Sequence, residues 1–394
     1  MTISPKIKNF IDQASWIRRM FEEGDELKQK YGRDKVYDFS LGNPNIEPPV
    51  IFQETLQKVV GLEVPHKHAY MPNAGYQETR EAVASYLSKK QGLDLTGDHI
   101  IMTCGAGGAL NVIFKTLLAE GDEVIVPTPY FVEYRFYIDN AGGIIKLVKT
   151  KDDFSLSLDA IREAVTEKTK ALLINTPNNP TGRVYSRDSL RELATLLREE
   201  GAIRKRIIYL ISDEPYSEIV YDGLSVAPIF KFYENSIIVS SYSKSLSIPG
   251  ERIGYIALHP EMPERRTVFD GAVLCNRILG FVNAPALMQR VIAEIPFACV
   301  DIEAYRRKRD LLCEGLGTIG YRFAKPEGAF YLFVKSPWND DVAFVRELLK
   351  EHIIAVPGSG FGGPGYFRLA YCVEDETIIK AMDGFTRAFK KAGQ

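Results

Sequence analysis

The apolar positions change period along the chain. Ile7, Phe10, Ile11, Ala14, Ile17 and Phe21 recur at helical spacing, which predicts an amphipathic helix over 6–30. Turn formers crowd the stretch from Ser40 to Pro49 and rule out regular structure there. From about 50 to 280, helical segments alternate with short β-branched runs at 99–103, 123–127, 171–175, 207–212, 236–240 and 253–258. Runs of this kind fit strands buried on both faces, so the alternation predicts an α/β domain around a mostly parallel sheet. Beyond about 285 the pattern changes to a long helical stretch containing 305–316, an apolar run at 328–334, a helix over 341–351, a Gly-rich loop over 358–365 and a strand over 366–371. The division that follows is a large domain, 46–285, and a smaller α+β domain built from 1–45 and 286–394.

Composition narrows the class. The 394 residues carry 49 basic and 51 acidic side chains, a net charge of −2, so no electrostatic footprint favours nucleic acid or an anionic membrane. The five cysteines show no Cys-x-x-Cys spacing, which argues against a disulfide framework or a zinc site, and no metal is expected. The start, Met1-Thr2-Ile3-Ser4-Pro5-Lys6, lacks an apolar signal core, and no run approaches the ~18 apolar residues of a membrane span. A cytoplasmic protein is expected.

The chemistry gathers at the ends of the apolar runs, where α/β sheets bind their ligands. Lys244 sits in Ser241-Tyr242-Ser243-Lys244, with Arg252 eight positions on. Its amine suits a Schiff base with an aldehyde cofactor, while Ser241, Ser243 and Arg252 suit that cofactor's phosphate. Asp213, after the run at 207–212, is placed to keep a pyridine nitrogen protonated, and Tyr216 to hydrogen-bond the ring's phenolic oxygen. Asn179, in Asn178-Asn179-Pro180-Thr181-Gly182, offers an amide donor to the same oxygen; the bland alternative is an ordinary turn. Gly105, Ala106 and Gly107 join a strand to a helix and expose backbone N–H groups to an anion. Tyr130 and Phe131 both offer an aromatic face for stacking on the ring, Phe131 being preferred.

Arg368 stands inside the apolar strand 366–371, where a charge is expensive unless paired. It is read either as a clamp for a substrate α-carboxylate or as half of an internal salt bridge. Gly42, in the breaker-rich loop, would bring backbone close to the same carboxylate.

Taken in order, Gly42-Asn43-Pro44, Tyr70 with Gly75, Asn179-Pro180-Thr181-Gly182, Asp213-Glu214-Pro215-Tyr216, the Ser-x-Ser-Lys ending at Lys244, Gly250-Glu251-Arg252-Ile253-Gly254-Tyr255 and Phe367-Arg368 resemble the fold-type I pyridoxal phosphate enzymes of the class I/II aminotransferase family, aspartate aminotransferases among them. The resemblance implies a seven-stranded type of sheet between helices, a cofactor held covalently by Lys244, an α-carboxylate held by Arg368, and ping-pong transfer of an amino group from an amino acid to a 2-oxo acid. It also implies a homodimer in which Tyr70 reaches the phosphate at the partner's site. The chain departs from relatives that carry Trp at the stacking position, where Phe131 lacks the indole N–H. Arg277, 33 residues after Lys244, resembles in placement an Arg that reads a distal carboxylate across the dimer; a surface Arg is the alternative. The weak lean is to aspartate or glutamate as substrate. A C–S β-lyase on the same scaffold is the competing chemistry. A DNA-binding regulator is disfavoured, because the roughly 40 residues before Gly42 hold no helix-turn-helix pair.

Overall fold

The structure, a computed structural model, describes residues 2–12 and 16–392. Helices α1 (Pro5–Asp12) and α2 (Trp16–Tyr31) open the chain, followed by strand β1 (Tyr37–Asp38). Of the helix expected over 6–30, the described residues 5–12 and 16–31 are helical, and Ala14 lies outside the described residues. Ile7 and Ile11 are exposed, because α1 docks through Phe10, which meets Phe136 edge-on at 4.9 Å, rather than through its whole apolar stripe.

Helices α3 (Val50–Gly61) and α4 (Gln77–Gln91) lead into the large sheet. Its strands are β2 (Ile100–Thr103), β3 (Glu123–Thr128), β4 (Ile144–Lys149), β5 (Thr169–Asn175), β6 (Tyr209–Asp213), β7 (Ser236–Ser241) and β8 (Gly254–Leu258). They lie in the order β2-β8-β7-β6-β5-β3-β4, with β8 antiparallel to both neighbours and the other pairs parallel. Six of the seven match the apolar runs to within two residues. The seventh, β4, is one of two edge strands and, unlike the buried β2 at the other edge, carries Lys146 and Lys149 among exposed Ile144 and Leu147, so it has no buried run to announce it.

Helices cover both faces of this sheet: α5 (Gly105–Leu117), α6 (Tyr134–Asn140), α7 (Leu158–Ala164), α8 (Arg187–Arg204), the single turn α9 (Tyr242–Ser245), α10 (Arg265–Ile278) and α11 (Ala286–Glu294). Successive strand side chains point to opposite faces. Met102, Leu172, Ile174 and Leu210 accordingly join one core with Leu87, Leu197, Val291 and Ile292, while Ile101, Leu173, Ile211 and Val239 join another with Ile113, Ile138 and Ala272. Helix α11 packs into the first of these cores, whereas Val300 joins a third core with the residues that follow.

The remaining chain forms α12 (Ile302–Ile319), β9 (Arg322–Phe323), β10 (Tyr331–Lys335), α13 (Asp341–Lys350), β11 (Ile353–Ile354), β12 (Val356–Pro357), β13 (Tyr366–Ala370) and α14 (Asp375–Ala392). A small antiparallel sheet runs β12-β13-β10-β9, and β1 pairs in parallel with β11. Phe39 is buried with Phe330, Leu369 and Phe385, so the N-terminal segment is part of this third core. Among the described residues, no helix is long and apolar enough to cross a membrane.

Candidate active site

A cavity of about 310 Å³ opens where the carboxyl ends of β5, β6 and β7 face the small sheet. Its walls combine Asn175, Asp213 and Ser241 from those strand ends with Tyr331 of β10 and Arg368 of β13. The volume suits one small cofactor with a small substrate.

Asp213 closes the deep end. It is buried, its Oδ2 accepts the Tyr134 hydroxyl, and its Oδ1 has no protein partner. Burial pushes its carboxyl up to about 7, and the Tyr134 hydrogen bond pulls the other way. An orphaned carboxylate oxygen at the bottom of a cavity calls for a donor from whatever fills it. Phe131 lines one wall and meets Tyr134 edge-on at 5.5 Å, while Tyr130 is buried in the core behind and does not line the cavity. The choice between these two aromatics therefore falls to Phe131.

The opposite end is built for an anion. Ala106 and Gly107, in the first turn of α5, line the cavity, and Gly105 directly behind them adopts φ +70. A Cβ on Gly105 would stand 2.8 Å from the Arg252 guanidinium, so glycine is what lets the loop and Arg252 share this corner. Arg252 has one hydrogen bond, from Nη1 to the Pro249 carbonyl at 2.7 Å, and no carboxylate pairs with it among the described residues. The hydroxyls of Ser241 and Ser243 line the same corner without a protein partner among those residues.

Lys244 lies between these ends, on the single turn α9. Its Nζ donates to the Gly42 carbonyl at 2.8 Å and sits 5.6 Å from the centre of the Phe330 ring. Burial pulls the amine down to about 8, and Arg252 and Arg368 push the same way against an opposing effect of Cys372. A lysine so placed sheds its proton far more readily near neutral pH than a free one, as a nucleophile or base requires. Gly42 is close-packed against the site, since a Cβ there would collide with the Tyr331 hydroxyl.

Arg368 is 2% exposed and faces no carboxylate among the described residues. Nη1 donates to Asn179 Oδ1 at 3.1 Å, Nη2 to the Ser40 carbonyl at 2.5 Å, and Nε has no partner. The rings of Tyr331 and Phe361 flank it at 4.6 and 4.7 Å. The internal salt bridge is thus absent, and a buried cation of this kind is completed by an anion that arrives from solution. Tyr216, also buried, shares a 2.9 Å hydrogen bond with the Tyr331 hydroxyl, and Asn179 is set by its N–H to Asn175 Oδ1 at 2.7 Å.

A buried lysine, a partnerless carboxylate oxygen, an anion corner and an uncompensated arginine thus share one cavity. The sequence model described as "Aminotransferase class I and II" fits residues 35–385. The chain belongs to this family. Among its relatives is the probable aspartate aminotransferase of Methanocaldococcus jannaschii, 32% identical over 96% of this chain and 98% of that one. The aspartate/prephenate aminotransferase of Thermus thermophilus is 34% identical over 90% and 91%. Among solved structures, an amino transferase from Eubacterium rectale superposes with a TM-score of 0.97 at 38% identity over the full length of both chains. The Thermus thermophilus aspartate aminotransferase with maleate gives 0.86 at 30% over 98% and 100%.

The protein is an aminotransferase, and its cofactor is pyridoxal 5′-phosphate. The open Oδ1 of Asp213, the unpaired Arg252 with two free hydroxyls, and the depressed Lys244 amine fit that group. Two residues expected at the aminotransferase site stand outside this chain's own cavity. Tyr70 is 90% exposed, and Arg277 is exposed in the last turn of α10. The lining residues that were not expected include three tyrosines, Tyr134, Tyr137 and Tyr331. Tyr134 follows Phe131 by three positions, which is helical spacing, and that was the one signal available for it.

Proposed function

We propose that Lys244 anchors the cofactor and then, freed as a neutral amine, moves the α-proton of the amino acid whose carboxylate docks on Arg368. Bound pyridoxal phosphate supplies an aldehyde for the amino group and a protonated ring that takes up electrons from the breaking α-C–H bond. Asp213 holds the ring nitrogen's proton through Oδ1, with Tyr134 fixing the carboxylate's other oxygen. Tyr216 and the Asn179 amide serve the ring oxygen, Phe131 stacks on the ring, and Gly105, Ala106, Gly107, Ser241, Ser243 and Arg252 receive the phosphate. The observation that carries this reading is the position of Lys244 Nζ, in one cavity with a partnerless carboxylate oxygen and an arginine without a carboxylate. Lys244→Ala should abolish both transamination and near-visible absorption by the bound cofactor. A variant retaining both would overturn the assignment.

The reading extends to a homodimer in the cytoplasm with aspartate or glutamate as a substrate. Support for the substrate comes from the relatives named for aspartate and from Arg277, an exposed cation with no ion-pair partner among the described residues. Arg277→Ala should raise the KM for aspartate about tenfold or more while changing that for phenylalanine little, as loss of one charge-assisted contact implies. Equal effects on the two substrates would remove Arg277 from the distal pocket.

A further inference from the structure

Arg368 can clamp a carboxylate only if its guanidinium is held at one angle, and the structure shows what holds it. The rings of Tyr331 and Phe361, with centres 4.6 and 4.7 Å from its central carbon, pack against the guanidinium but offer it no hydrogen bond that would fix its rotation. That rotation is fixed by two hydrogen bonds, Nη1 to Asn179 and Nη2 to the Ser40 carbonyl. Asn179 borders the cofactor; Ser40 belongs to the N-terminal segment. We propose that Asp38 is a positioning residue for substrate carboxylate binding, acting on Arg368 through Ser40.

Asp38 Oδ1 accepts both the backbone N–H of Ser40, at 2.9 Å, and its hydroxyl, at 2.6 Å. These two bonds curl the chain just beyond β1 and fix the direction of the next carbonyl. The Ser40 hydroxyl is therefore spent on Asp38 and does not face substrate. Asp38 Oδ2 in turn receives Lys28 Nζ of α2 at 2.6 Å. Gly24, one turn earlier, permits that approach, since a Cβ there would meet Ile354 at 2.6 Å. Neighbouring bonds lock the segment between strands: Phe39 N–H donates to the Ile354 carbonyl at 2.9 Å, and Ala370 N–H to the Phe39 carbonyl at 2.8 Å. Ser40 is fully buried, and Asp38 supplies both of these contacts to it.

This inference rests on Arg368 as the α-carboxylate group, and the test separates the two. In the holoenzyme, Asp38→Ala should raise the KM for both amino acid and 2-oxo acid about tenfold, the equivalent of one mis-aimed charged hydrogen bond. Its kcat should stay within about twofold, and its affinity for pyridoxal phosphate should not change. Asp38→Asn, which keeps a carbonyl acceptor for Ser40, should recover most of the loss. Ser40→Ala, which removes one of the two anchors and cannot disturb Lys28, should raise KM about threefold, and it carries the test if Asp38→Ala does not fold. Wild-type KM in these variants, or a rise in KM matched by loss of kcat and of cofactor affinity, overturns the proposal. Arg368→Lys supplies the control. If it raises KM while the Asp38 and Ser40 variants do not, only the role of Asp38 is lost. If it too leaves KM unchanged, the reading of Arg368 is overturned and the role of Asp38 with it.

Discussion

The burial of Asp213, proposed above to face the cofactor ring, costs the cofactor-free protein stability. Its carboxyl is buried and pushed up to about 7, whereas the same group in an unfolded chain titrates near 3.8. Between those values the folded protein binds the extra proton, so stability of the cofactor-free enzyme declines as pH rises through that window and is least above pH 7. Three pH units at about 1.4 kcal/mol each bound the penalty at about 4 kcal/mol. Asp213→Asn removes the ionisation and should raise the melting temperature of the apoenzyme at pH 8, with a smaller gain at pH 5, while transamination is lost. Glu214, likewise buried and raised to about 7, owes part of its rise to the Asp213 charge, so Asp213→Asn eases its ionisation too and adds to the gain at pH 8. Thermal unfolding at the two pH values checks this, and an apoenzyme no more stable at pH 8 than wild type would contradict it.

At the scale of elements, what was legible in the sequence follows from burial. Strands β2, β3, β5, β6, β7 and β8 are covered on both faces and so read as unbroken apolar runs, whereas β4 at the edge mixes lysines with apolar residues and left no such trace. The residues at the ends of these runs were legible for a related reason. Lys244, Asp213 and Arg368 are charges set in or beside apolar strands, an anomaly visible in one dimension. Tyr134 and Tyr331 carry no such anomaly. An aromatic in an apolar stretch reads as core, and only the folded chain brings the Tyr134 hydroxyl to Asp213 and the Tyr331 hydroxyl to Tyr216. Asp38 escaped for the same cause, since its effect on Arg368 runs through a carbonyl 328 positions away from that arginine. The packing of α11 into the core of the large sheet is likewise decided by contacts that the helical period does not encode.

The whole molecule poses one question that a single chain does not answer: what Tyr70 touches. It is 90% exposed, yet its neighbours are tightly held. Asn73 donates to the Val282 carbonyl at 3.0 Å, Asn276 to the Asn73 carbonyl at 3.0 Å, and Asn283 to the Pro72 carbonyl at 3.0 Å. The same region carries exposed Val60, Leu62, Val64, Leu274, Ile278 and Leu279, an apolar surface of the kind that a subunit covers. If two chains meet here and each lends Tyr70 to the other's phosphate, inactive variants should complement each other. Lys244→Ala and Tyr70→Ala homodimers should each have little activity. In a hybrid of the two, one site joins an intact Lys244 to an intact Tyr70 and the other lacks both. Hybrids purified through two different affinity tags should therefore recover about half the wild-type activity, since one of two sites is complete. Purified hybrids no more active than the Tyr70→Ala homodimer would confine Tyr70 to its own subunit and leave the apolar surface without this role.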